Sequence, residues 1–409
     1  MLLERFLRYV RIDSQANEAS TSYPSTPGQL AMGRLLVQEL HAIGAGDAVQ
    51  DEHGIVWATL PATQSKNSPV IAWIAHVDTS PETTAHGVNP IVHRDYRGDD
   101  IALPGEPTKV IRVADHPELL TCLGKTLVTT DGTTLLGADD KAGIAVIMQA
   151  AEYLLAHPEI PRGAIRICFT CDEEIGRGVD HVDLQKLGAH VGYTLDGGGV
   201  AEIDGETFSA DLAVITFTGV NIHPAIAKGR MINAVRLAGA FLERMPWQAL
   251  SPETTDEREG FLHPYRVEGG VASVTLRILL RDFETAKLAE KARLLQNIAF
   301  LLAVEHPGSK IDVKVTPQYR NMADGLAREP RAIDFAEAAM KRIGLKPRRT
   351  VVRGGTDGSR LTELGLPTPN LSCGEHNLHS PLEWTCLEEM EIAVRVLVEL
   401  AQIWGEAQG

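Results

Sequence analysis

Between Ala210 and Thr316 this 409-residue chain orders its strands and helices as β-α-β-β-α-β, inside a sequence that otherwise alternates single strands with single helices. The inner pattern predicts a strand over Ala210 to Gly219 and a helix over Ala225 to Arg244. A hairpin follows, from Tyr265–Glu268 into Val271–Arg281 through Gly269 and Gly270, then a helix from Glu284 to about Val304 and a strand over Ile311 to Thr316. Such an order folds as a compact two-layer α+β module of the ferredoxin-like kind. Its position splits the rest of the chain into two stretches that must pack together as one larger domain.

Those outer stretches predict an α/β domain, a sheet with helices on its faces. Strands are expected over Ile55–Leu60, Val70–Ala75, Ala164–Thr170, Val191–Leu195, Thr350–Val352 and Thr368–Leu371. Helices are expected over Gly28–Ile43, Asp140–Ala156, Arg331–Ile343 and Leu387–Trp404, each amphipathic with a plausible stop. The stretch from about Thr79 to Gly132, rich in Pro, Gly and Asp, reads as loops and short strands without a domain of its own. The expected layout is residues 1–207, the inserted module 208–319, and the outer domain resumed at 320–409. Hinge motion near 207 and 320 would let the module act as a lid.

Seven residues able to bind metals or move protons follow the apolar runs of the outer domain: His76, Asp78, Asp139, Glu173, Glu174, Asp196 and His379. His76 and Asp78, two apart at the end of VIAWIAHVD, fall on one face of a strand, where one binds a cation and the other orients it. Adjacent Glu173 and Glu174 suit a division of labour between a metal ligand and a proton carrier. Each motif has a plainer reading. Asp139 and Asp140 suit the cap and dipole of a helix, Asp196 in DGGG suits a turn, and His379 suits a loop. The combination is stronger, because five segments bring these groups to the C-terminal ends of predicted strands, the edge where open α/β sheets bind ligands. Oxygen ligands with two histidines suit zinc, with cobalt or manganese as alternatives.

Charge and cysteine usage bound the partners. With 39 Lys and Arg against 54 Asp and Glu, the net charge of -15 repels phosphate backbones and anionic lipid, so neither nucleic acid nor a membrane is an expected partner. The opening MLLERFLRYVRIDSQ has helical spacing but is broken by Glu4, Arg5, Arg8 and Arg11, unlike a signal peptide, and no run reaches membrane-spanning length. Five cysteines form no secreted disulfide framework, so a cytoplasmic location is expected. Cys168 and Cys171, three apart in a strand, point to opposite faces and share no metal.

The ordered set HVD, GADDKAGIA, DEE, DGGG, RGGTDG and Asn377-Leu378-His379 resembles the co-catalytic zinc exopeptidases of the aminoacylase and carboxypeptidase G type over nearly the whole chain. The resemblance implies a mixed-sheet di-zinc catalytic domain carrying a lid, and within the family it points to members that release the N-terminal residue of tripeptides. It implies that Asp139 bridges two zinc ions, with His76 and Asp196 completing one site and Glu174 and His379 the other. Glu173 would be the general base and Asp78 the partner that orients His76. His223, Arg281 and Arg353 would bind substrate, although Arg281 beside Asp282 equally suits a structural salt bridge. Small peptides are the implied substrates, and relatives often pair through the lid as homodimers. A dipeptidase, carboxypeptidase or N-acyl amino acid amidohydrolase would share every ligand, and a non-enzymatic peptide binder is the reading from another class; the intact Glu173 argues against the latter. Two departures, Ala225-Ile226 where close relatives carry Gly-Thr and SPLEW after His379, bear on the preferred peptide and not on the metal chemistry.

Overall fold

The computed structural model of this chain describes residues 1–63 and 68–407. These fall into two compact units, one of residues 1–205, 322–350 and 356–409, the other of 206–321 and 351–355.

The first unit is built on a mixed sheet. Along it lie Val49–Gln50, Val56–Leu60, Ile165–Thr170, Ile71–His76, Val191–Gly198, Asn370–His376, Trp384–Cys386, Leu127–Thr129 and Ile91–His93. Four central strands run parallel, Ile71–His76 between Ile165–Thr170 and Val191–Gly198, with Asn370–His376 beside the last. Burial on both faces explains why Ile71–His76 is apolar almost throughout. Ile71, Trp73 and Ala75 join a core with Phe6, Met32, Leu36, Val146, Leu154, Leu397 and Trp404 from the helices Leu2–Tyr9, Pro27–Ile43, Ala138–Ala156 and Leu387–Glu406. Ala72 and Ile74 face the opposite layer with Ile55, Trp57, Leu187 and Leu361. Cys168 packs in this second layer and Cys171 in the first, and all five cysteines are free thiols. Because the four strands are parallel, their C-terminal ends share one edge, and the helix Ala138–Ala156 begins with Asp139 in its first turn.

The region from Thr79 to Gly132 contributes short strands, a 3-10 helix over Pro117–Cys122 and Tyr96, Leu103, Leu119 and Leu127, which form a small core with Trp384. Among the described residues no helix is long and apolar enough to cross a membrane.

In the second unit four antiparallel strands are ordered Phe261–Gly269, Ser273–Asp282, Ser209–Thr218 and Lys310–Tyr319. Alternation along them buries Ala213, Ile215, Phe217, Val274, Leu276, Ile278 and Leu280 against Leu237, Phe241, Leu295 and Leu302 of the helices Ala234–Arg244 and Thr285–Glu305. The chain order is β-α-β-β-α-β. Gly269, at φ 134°, closes the hairpin where a Cβ would meet the Ser273 carbonyl at 2.2 Å. One expectation fails: the helix predicted over Ala225–Arg244 starts at Ala234. Asn233 caps it by accepting from the Val235 and Arg236 amides, and the residues before it form only a short turn at Pro224–Ile226.

Candidate metal centre

All seven residues singled out in the outer domain lie in the first unit, and their side chains converge at the edge formed by the parallel strands. His76 is the last residue of its strand. Asp78 lies beyond the strand end, contrary to the expectation that both occupy one strand, yet its Oδ1 reaches within 3.4 Å of His76 Nδ1. The same carboxylate accepts the amides of Glu173 and Glu174, both at 3.1 Å. Asp78 thereby ties the histidine to the turn that carries the two glutamates, and it is completely buried.

Asp139 stands at the centre. Its Oδ1 lies 2.9 Å from His76 Nε2 and its Oδ2 3.1 Å from His379 Nε2. On the first side Asp196 Oδ1 approaches His76 Nε2 at 3.8 Å, and on the second Glu174 Oε2 approaches His379 Nε2 at 3.0 Å. One carboxylate thus spans two imidazole-carboxylate sets.

Local structure holds each member. Asp196 lies near the end of its strand, where Asn370 of the neighbouring strand accepts from its amide and donates to its carbonyl. His379 has φ 60° and Asn377 φ 54°, a left-handed conformation that side chains rarely adopt, and Thr83 Oγ1 anchors the His379 carbonyl at 2.6 Å. Asp140, next to Asp139 and equally suited to a helix start, has another task. It takes the His76 amide on Oδ2 and the Gly143 amide on Oδ1, so it caps the helix while Asp139 faces the histidines.

The electrostatics are those of acids crowded away from water. Burial and then the Asp139 charge push Glu174 up to about 8, and the same two causes push Asp196 up to about 6. Glu173 is raised well above the carboxylate range, chiefly by burial. Burial would lower His379, but hydrogen bonds to Asp139 and Glu174 prevail and raise it to about 11. Asp139 is held below the usual range against its burial by hydrogen bonds from His379 and His76. Glu174 Oε1 is buried without any hydrogen-bond partner, which is costly for an oxygen with no further task. The sets His76–Asp139–Glu174 and His76–Asp140–Asp196 each bring their donor atoms within 4.8 Å of one another. Nitrogen and carboxylate donors, an excess of buried negative charge and an unsatisfied oxygen fit divalent cations.

Sequence reasoning passed over Glu383, although it lies in the SPLEW segment. Its buried carboxylate accepts the amides of Leu136, Gly137 and Asp139 at 2.7, 2.8 and 3.1 Å, fixing the backbone that aims Asp139. Glu82 was passed over as well; it approaches His379 Nδ1 at 3.5 Å.

His223, Arg281 and Arg353 belong to the second unit. His223 is exposed and its Nδ1 accepts from the Ala225 amide. Arg281 is buried and donates to the Leu280 carbonyl and to Gln318 Oε1, with Tyr319 under its guanidinium. The salt bridge to Asp282 does not form, because Asp282 pairs with Lys291. Arg353 donates to the Glu257 carbonyl and to Thr255, with Phe208 and Phe261 beneath it. Neither arginine is ion-paired to a carboxylate among the described residues.

Comparison with known proteins identifies the family and the fold. Residues 130–403 match the model of Peptidase family M20/M25/M40. A Peptidase T of Listeria innocua is 44% identical over 407 residues, covering 100% of this chain and 99% of the relative. The crystal structure of the aminopeptidase PepT from Bacillus cereus superposes with a TM-score of 0.75 at 24% identity, over 99% of this chain and 98% of that one. A dinuclear metal-binding M20 peptidase of Bacillus subtilis gives a TM-score of 0.64 at 16% identity, over 98% of both chains.

Proposed function

Since this chain belongs to the peptidase family M20/M25/M40, we propose that it is a two-metal aminopeptidase that releases the N-terminal residue of tripeptides. The observation that carries the reading is Asp139, whose two carboxylate oxygens face His76 and His379 separately. A carboxylate placed in this way is suited to bridge two cations, His76 and Asp196 completing one set and Glu174 and His379 the other. Bound there, two divalent cations would supply Lewis acidity to the scissile carbonyl, and the donor set suits zinc, with cobalt or manganese as substitutes.

The chain's own groups supply the rest. Glu173, with its carboxyl raised by burial, takes the proton of the attacking water and hands it to the leaving amine as the carbon–nitrogen bond breaks. Asp78 holds the Glu173 and Glu174 amides and faces His76, so it positions base and ligand together. Arg281 and Arg353, neither in a salt bridge among the described residues, are assigned to the peptide carboxylate, and His223 to the substrate oxygen. Five free thiols suit a cytoplasmic enzyme.

Mass spectrometry of products tests the reading, with zinc-loaded and chelator-stripped protein offered a tripeptide, its N-acetylated and C-amidated forms, and dipeptides. Zinc-dependent release of the N-terminal residue, chiefly from the free tripeptide, is expected. Cleavage of the N-acetylated peptide or the dipeptides instead would move the protein to an amidohydrolase or dipeptidase of the same family.

A further inference from the structure

Six acids, five of them buried and Asp204 partly so, surround the centre without belonging to the ligand set just proposed or acting as the base, and five of the six have protein donors suited to a carboxylate. Asp78 accepts two amides, Asp140 two and Glu383 three. Asp357 accepts the Thr170 hydroxyl at 2.7 Å, and Asp204 accepts from Thr350 and Asn370. Glu375 differs. It is 1% exposed, its Oε1 has only the Cys373 thiol at 3.1 Å, and its Oε2 is buried with no partner. A thiol is a weak donor, so this carboxylate lacks the bonds that justify its burial.

Its position explains the deficit. The strand Asn370–His376 runs parallel to Val191–Gly198 with Glu375 opposite Gly198, two residues beyond Asp196. Oxygens of Glu375, Asp139 and Asp196 lie within 4.8 Å of one another. The same feature, a carboxylate beside Asp139 with one buried, orphaned oxygen, marks Glu174, a member of the ligand set.

We infer that Glu375 is a further carboxylate ligand of the cation shared by His76, Asp139 and Asp196. The inference rests on the two-metal reading and goes beyond it, since it makes the two positions chemically unequal. The His76 side gains an oxygen donor that the His379 side lacks. An oxygen-rich set of higher coordination number favours manganese or cobalt over four-coordinate zinc at that one position.

The test is chelator-competition titration of manganese and zinc into the wild type and into Glu375→Gln, which keeps the side-chain shape. The wild type is expected to bind two ions. E375Q is expected to weaken one manganese site at least 10- to 100-fold while sparing the other, with a smaller loss for zinc. Two ions bound equally well by both proteins would overturn the role of Glu375 alone. Fewer than two ions in the wild type would instead overturn the two-metal reading beneath it. Anomalous scattering from manganese-loaded wild-type crystals decides independently of any variant: a Glu375 oxygen within bonding distance of a metal peak supports the inference, and peaks beyond its reach refute it.

Discussion

Replacing Glu383 by alanine tests how the structure aims Asp139. The carboxylate is 1% exposed and accepts three backbone amides, at Leu136, Gly137 and Asp139. A hydrogen bond to a charged acceptor contributes roughly 1.5–3 kcal/mol, and a buried donor left unpaired carries a full desolvation cost. Three bonds sharing one carboxylate are not additive, and removing a buried charge recovers part of the loss, so the expected destabilisation of the metal-free protein is about 3–6 kcal/mol. Glu383→Gln should cost less, since its amide oxygen still accepts while its NH2 group faces donors. Both variants loosen the backbone of the proposed bridging ligand, so metal affinity should fall roughly 10- to 100-fold. Denaturant titration of the metal-free protein and chelator competition measure the two effects. E383A with near-normal stability and metal affinity within twofold of wild type would refute the reasoning.

Four further outcomes are expected. Glu173→Gln should keep both metals and lose about 100- to 10,000-fold in kcat, whereas Asp139→Asn should lose metal as well; elemental analysis and kinetics together separate the two, and near-normal turnover of E173Q would remove Glu173 from the chemistry. Arg281→Met should raise KM for a free tripeptide far more than for its C-amidated form, and equal changes for both would argue against a carboxylate contact. Glu329 is held down to about 2, chiefly by hydrogen bonds from Arg331; since its folded value lies below the ordinary 4.5, the stabilisation is present above pH 4.5 and lost as the pH falls towards 2. The stability gap between wild type and Glu329→Gln, on the order of 1–2 kcal/mol at neutral pH, should therefore close over that window in acid denaturation. Phe300, Leu301 and Val304 are 67%, 52% and 61% exposed on the helix Thr285–Glu305; native mass spectrometry should find a homodimer that Phe300→Glu with Leu301→Glu converts to monomer, and a monomeric wild type would refute the pairing.

What the sequence reveals and what it hides have physical causes. His76 is legible because an apolar run buried on both faces ends in a polar residue, and Glu173, Glu174 and Asp196 follow the same rule at neighbouring strands. Alternating apolar residues likewise reveal the four strands of the second unit, since one face is packed and the other is not. Helix-start chemistry does not separate Asp139 from Asp140, because both suit it; the family resemblance singles out Asp139, and the fold gives Asp140 to Gly143 and turns Asp139 to the histidines. The helix start at Ala234 was misplaced because Ala225 to Met231 has helix-compatible residues, and the cap at Asn233 outweighs them. Glu375 and Glu383 stayed hidden for a different reason. Their partners lie 244 to 247 residues away for Glu383, and for Glu375 they include carboxylates on other elements, distances that no local pattern encodes.

The most direct test of the central claim is to locate the metals in a crystal of the zinc-loaded protein by anomalous scattering at the zinc edge. The account predicts two peaks sharing Asp139, one beside His76 and Asp196 and the other beside Glu174 and His379. A single peak, or peaks that do not touch both oxygens of Asp139, would contradict it.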